Sequence, residues 1–132
     1  MKKILMMILA GMMTASAAQA AAVSHAEAYA VASSDVADVA ALAASGTLTA
    51  EDARFLVGTA KASFQNLMMF KYAVKYSRNT DKGYEKYHAD AAVQAVIALF
   101  DQYDANAISI EELRAQLAAL ADREGGTERP GH

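Results

Sequence analysis

From Ser24 to Leu120 the apolar positions recur at steps of three and four, the spacing of one face of a helix, and polar clusters interrupt the pattern in three places. The pattern predicts four helices. The first runs from about Ser24 to Ala44, with Ala26, Ala30, Val36, Val39, Ala40 and Ala43 forming a small-residue face that lets a neighbouring helix come close. Gly46 ends it, because glycine adopts the left-handed conformation of a helix C-terminus without a Cβ penalty. The second begins at Thr49, whose hydroxyl is placed to cap the backbone N–H of Asp52, and it is apolar around more than one face, from Phe55 through Phe64, Leu67, Met68, Met69 and Phe70 to Tyr76. Such a helix is either central or shared with a partner. Asn79-Thr80-Asp81 supplies the next stop and start, with Gly83 weakening the first turn of a third helix that carries Tyr84, Tyr87, Val93, Val96, Ile97, Phe100 and Tyr103. Asp104 to Ala107 breaks it. The fourth opens at Ser109 with Glu112 in capping-box position, and its Ile110, Leu113, Leu117 and Leu120 form a narrow one-sided seam.

The two loops repeat one another. Ser45-Gly46-Thr47-Leu48-Thr49-Ala50-Glu51-Asp52-Ala53-Arg54 matches Ala105-Asn106-Ala107-Ile108-Ser109-Ile110-Glu111-Glu112-Leu113-Arg114, each with a left-handed stop, an aliphatic residue two places on, a hydroxyl cap, two acids and an arginine. This is what the turns of two similar αα-hairpins need. The fold expected is therefore all-α, an antiparallel up-down-up-down bundle of four helices over residues 21–122, with both repeat loops at one end and the Tyr72 to His88 hairpin at the other. From Arg123 the composition turns to Glu, Gly, Thr, Arg and Pro, read as a disordered C-terminal tail over 123–132.

Residues 1–20 stand apart from this periodicity: Lys2 and Lys3, an apolar run from Ile4 to Met13, then Ala18-Gln19-Ala20. That is the layout of a cleaved secretory signal peptide, with an apolar stretch too short to span a bilayer, and it implies a periplasmic or secreted mature protein beginning near Ala21. An uncleaved leader acting as an anchor is the alternative. Losing the leader removes two lysines, leaving ten basic side chains against fifteen acidic ones, a sign that disfavours nucleic acid as a partner. The chain has no cysteine, which excludes disulfides, thiolate metal sites and a lipidated cysteine. No later apolar run reaches the roughly 20 residues of a transmembrane segment.

Candidate chemistry is sparse. A cation site in the second loop, numbered from Asp101 as a degenerate EF-hand-like loop, has only Asp101, Ser109 and Glu112 to offer side-chain oxygens, because Tyr103 and Ala105 occupy two ligand positions. Glu85-Lys86-Tyr87-His88 has the Glu-x-x-His spacing of di-iron bundles, but the second copy such a centre needs is missing. No nucleophile elbow, phosphate-binding glycine loop or histidine in the context of a triad is present, so neither a catalytic residue, a metal nor a cofactor is assigned.

The distinctive surface candidate is the segment from Lys71 to His88, five cations against Asp81 and Glu85 in a chain that is acidic elsewhere. Tyr72, Lys75, Tyr76, Arg78, Lys82, Tyr84, Lys86 and Tyr87 form the expected partner-binding set, since tyrosine alternating with Lys and Arg suits recognition of an acidic surface. The competing reading is that the tyrosines, at helical spacings, close one end of the core while the lysines reach to water. Met68, Met69 and Phe70 cannot all face one neighbour, so a homo-oligomer through that face is a second expectation. The functional expectation is a small exported, non-catalytic protein-interaction module (adaptor, inhibitor, immunity-type or chaperone-like) whose partner is another envelope or secreted protein. A small-ligand or cation sensor using the Asp101 to Glu112 loop and an enzyme without a recognisable motif are the alternatives.

Overall fold

Local capping chemistry sets where each helix begins. In the computed structural model, which describes residues 23–127, these are α1 (His25–Ala44), α2 (Ala50–Lys75), α3 (Thr80–Ala89), α4 (Ala91–Asp104) and α5 (Ile110–Thr127). Ser24, Thr49 and Asn79 each accept a hydrogen bond from the backbone N–H three residues on, at 3.1 Å in all three cases. At Ser109 the box closes in both directions: the Glu112 N–H donates to Ser109 Oγ at 3.1 Å and the Ser109 N–H donates to Glu112 Oε1 at 3.2 Å.

The repeat in the sequence is a repeat in backbone geometry. Gly46 has φ +79° and Asn106 has φ +62°, both left-handed. After α1 the Gly46 N–H donates to Ala43 O and the Thr47 N–H to Leu42 O; after α4 the Asn106 N–H donates to Tyr103 O and the Ala107 N–H to Gln102 O. These are matching Schellman closures, and they satisfy the last carbonyls of each helix. Arg54 Nη2 donates to Asn106 Oδ1 at 2.7 Å, so the two loops meet at the same end of the molecule.

The architecture is all-helical, and a four-helix bundle describes it only roughly. Around the core α1 packs on α2 and, most extensively, on α5; α2 packs on α4, and α4 on α5, which closes a ring of four helices. The fifth, α3, lies against α2 and α4. It exists because the single third helix expected from the sequence is broken at Asp90, whose backbone is extended (φ −75°, ψ 99°). The Asp90 carboxylate accepts from the Ala92 and Val93 N–H groups at 3.1 and 3.2 Å, an N-cap that starts α4 afresh. Gly83 is where α3 meets α2, since a Cβ there would stand 3.0 Å from Tyr72 O and 3.3 Å from Tyr76 Cβ. Its place in the chain is explained by close packing rather than by a weak first turn.

Tyr29, Val36, Val39, Leu56, Met68, Val93, Val96, Phe100, Leu113 and Leu117 are fully buried, and Tyr29 packs on Phe64 with ring centroids 5.7 Å apart. The inner face of α1 is Ala28, Tyr29, Ala32, Val36, Val39 and Ala40. The expected face is thus right from Val36 onward and out of phase before it, where Ala30 is exposed, because Tyr29 rather than the alanines fixes the rotation of the first turns. The narrow seam of α5 is found as expected, with Leu113 and Leu117 buried and Ile110 and Leu120 flanking them. Helix α5 continues to Thr127, so the backbone from Arg123 to Thr127 is helical where the composition suggested a tail. The proposed leader and residues 128–132 lie outside the described residues. Among the described residues no helix is long and apolar enough to cross a membrane.

Candidate functional site

Opposite the two repeat loops, the start of α1, the end of α2 and the α3–α4 junction converge, and a polar cluster ties them together. Asp90 Oδ2 accepts from the Tyr72 hydroxyl at 2.5 Å and pairs with His25 Nε2 at 2.7 Å. Lys71 Nζ donates to Val23 O at 2.7 Å and lies 3.3 Å from His25 Nδ1. A lysine has only donors to offer, so in the neutral imidazole Nδ1 accepts and the Nε2–H donates to Asp90. Burial pushes the Asp90 carboxyl up, but the hydrogen bonds from Tyr72, His25 and the Val93 N–H outweigh it and hold the group below the usual carboxylate range. Burial and then the bond to Asp90 push the Tyr72 phenol well above its ordinary value. With both ring nitrogens of His25 engaged, the cluster fastens the helix ends together.

This arrangement divides the expected contact set by burial. Tyr72 is half-buried and committed to Asp90, and Tyr87 is only 3% exposed, its phenol raised chiefly by burial. Tyr87 belongs to the core and Tyr72 packs against its edge. Lys71, counted among the local cations, is held by Val23. What remains on the surface is Lys75, Tyr76, Arg78, Lys82, Tyr84 and Lys86. The Nζ atoms of Lys75 and Lys82 stand 5.7 and 5.6 Å from the centroid of the Tyr76 ring, so one half-buried aromatic gathers two ammonium groups from different helices. Tyr84 is 59% exposed and packs edge-on against His88 at 4.3 Å.

Beside these cations lies an apolar groove of about 180 Å³ between α2 and α3, lined by Met69, Phe70, Ala73, Thr80, Gly83, Tyr84 and Tyr87. Met69 and Phe70 are 39% and 48% exposed, but Met68 is fully buried, so the expected Met68 to Phe70 face reduces to its last two residues. Phe55, at the other end of α2, is more exposed still; the apolar run read for the second helix includes it, but the expected contact set does not. The signal was available: Phe55 falls off the helical face shared by Ala53, Leu56, Ala60, Phe64 and Leu67. Asp90 was missed too, although an aspartate two and three residues before Ala92 and Val93 is a standard way to start a helix.

The loop weighed as a cation site has its oxygens engaged elsewhere. Asp101 Oδ1 pairs with Lys61 Nζ at 2.5 Å, Asn106 Oδ1 receives Arg54, and Ser109 and Glu112 close the capping box. His88 packs edge-on against Tyr84 and Tyr87, with ring centroids 4.3 and 5.0 Å apart. Among the described residues no group of three or more His, Asp or Glu is placed to hold a metal ion. No family model, curated protein or solved structure matches the chain, so the site is read from its own geometry.

Proposed function

We propose that the chain is the precursor of a small exported protein, periplasmic or secreted, that acts without catalysis as a protein-interaction module. Its mature part is an antiparallel up-down-up-down bundle of two αα-hairpins with α3 as a short buttress, and its partner is an acidic surface on another envelope or secreted protein. The observation that carries this reading is the grouping of Lys75 and Lys82 around Tyr76, with Arg78, Tyr84 and Lys86 exposed on the same hairpin, in a chain whose acidic residues outnumber its basic ones. Paired cations on an aromatic platform give an acidic partner both charge and a stiff contact area.

The test is capture of binding proteins from an envelope extract by the mature protein over a salt series, beside the triple variant Lys75→Glu, Lys82→Glu, Lys86→Glu. All three side chains are exposed, so the variant should keep its helicity and melting temperature. The expected result is capture of one or a few acidic proteins that weakens with salt and disappears in the variant. Capture indifferent to both overturns the reading. Mass spectrometry of the exported form should find its N-terminus near Ala21.

A further inference from the structure

The outward face of α2 exposes large apolar side chains at both of its ends. At 100° per residue, Phe55, Gly58, Ala62, Asn66, Met69 and Phe70 fall on one stripe, and all six are exposed. Over roughly 22 Å of helix this stripe carries no charge. The two charged residues of α2 within that span or just past it turn elsewhere, Lys61 to Asp101 and Lys71 to Val23.

Two features make the stripe self-complementary. Its profile is large, small, large: Phe55 at one end, Gly58 and Ala62 in the middle, and at the other end Met69 and Phe70 bordering the groove that Ala73 and Tyr84 complete. The chain's own packing does not require Gly58 to be a glycine, because a Cβ there would meet nothing within 4 Å. A mid-helix glycine is nevertheless destabilising relative to alanine. The second feature is charge. Glu51 and Asp52 flank Phe55 in the first turn of α2, whereas Lys75 and Lys82 gather at Tyr76 beside the far end.

We propose that α2 pairs with the α2 of a second copy of this chain, antiparallel, about a two-fold axis beside Ala62. Phe55 of each copy then seats in the Met69, Phe70 and Tyr84 groove of the other, the small residues meet at the axis, and Glu51 and Asp52 of each copy face Lys82, held at Tyr76, of the other. A parallel pair places like charges together at both ends and Phe55 on Phe55. The two-fold arrangement is closed, with each surface used once and none left to propagate a filament. The inference rests on the reading of the basic hairpin as an acceptor of acidic groups, and it adds a second copy of this chain as one source of them.

Sedimentation of the mature protein over a concentration series tests it. The expected species is a salt-sensitive dimer, weakened about a hundredfold by Ala62→Glu, which sets two carboxylates against each other at the axis. Ala62→Lys should be equally monomeric alone. Mixing the two variants should restore a one-to-one dimer, since residue 62 then meets its opposite charge. Phe70→Ser, at an exposed position, is the second variant and should also give a monomer with unchanged helicity. A wild-type chain that stays monomeric at every concentration, a dimer indifferent to Ala62→Glu and Phe70→Ser, or a mixture that fails to pair overturns the proposal. Those outcomes leave capture of an acidic envelope protein intact, so the two readings fail separately.

Discussion

Replacing Asp90 by alanine is the most direct probe of the cluster that holds the helix ends together. Three sets of interactions end at this one carboxylate: the Ala92 and Val93 N–H groups at Oδ1, and the Tyr72 hydroxyl and His25 Nε2 at Oδ2. Loss of an N-cap costs about 1 kcal/mol. A part-buried phenol and imidazole left without their acceptor cost roughly 1 kcal/mol each. The expected destabilisation is therefore about 2 to 4 kcal/mol, a large share of the roughly 5 to 15 kcal/mol that holds a domain of this size. Urea denaturation followed by circular dichroism at pH 7 measures it, and Tyr72→Phe completes a double-mutant cycle. Tyr72→Phe alone should cost about 1 kcal/mol, and close to nothing once Asp90 is gone. The gap between wild type and Asp90→Ala also has a definite pH dependence. A carboxyl held below its ordinary value of 3.8 binds fewer protons folded than unfolded, so its stabilisation is present above that pH and lost as pH falls through the folded-state value. A loss below about 0.5 kcal/mol, strict additivity with Tyr72→Phe, or a gap that widens in acid would refute this account of the cluster.

Asp35 should behave in the opposite sense: burial, and then Asp38 nearby, raise it from 3.8 to about 6, so the stability tied to it is complete below pH 3.8 and declines as pH rises through 6. Asp35→Asn should therefore stabilise the protein by about 1 kcal/mol at pH 7.5, after discounting for partial exposure, and by nothing below pH 3.8, read from urea midpoints across that range. Gly83→Ala should destabilise by about 1 to 3 kcal/mol despite alanine's better helix propensity, because the new Cβ would press on the Tyr72 carbonyl 3.0 Å away. Gly58→Ala should raise helix stability by roughly 0.5 to 1 kcal/mol, since a Cβ there meets nothing, and thermal melts at low protein concentration, where a dimer is dissociated, compare the two. Equal effects at both positions would refute the close-approach argument.

What could be read from the sequence was what local chemistry decides. Ser24, Thr49 and Ser109 cap helices, and Gly46 and Asn106 end them, because each acts on backbone groups only a few residues away. The break at Asp90 is legible only in its local half, the cap on the Ala92 and Val93 N–H groups. Ala89 and Ala91 are good helix formers, and the partners that hold the Asp90 side chain, Tyr72 and His25, lie 18 and 65 residues away. Alanine is equally at home on either face of a helix, so the alanines of α1 could not fix its rotation; the buried ring of Tyr29 does. The tyrosines of the basic hairpin divide by the same rule. Spacing could not separate Tyr87, which fills the core beneath Gly83's helix, from Tyr84 one turn away on the surface, because that depends on where α3 docks on α2.

The exposed apolar residues then acquire a reason. Single exposed hydrophobics such as Val31 on α1 are ordinary on a protein surface, but Phe55, Met69, Phe70 and Val74 are all on α2, with Tyr84 beside Met69 and Phe70. Packing within one chain accounts for Leu56, Phe64 and Met68 on the inner face of that helix and gives the outer residues nothing in return, since a side chain that stays in water gains little from folding. A fold requirement alone leaves those positions open to polar residues. In the proposed dimer the uncharged stripe that carries Phe55, Met69 and Phe70, with Glu51 and Asp52 at one end and Lys82 beside the other, is covered. The separation of charge along α2 selects the direction of what covers it: a negatively charged segment laid across the basic end, running opposite to α2.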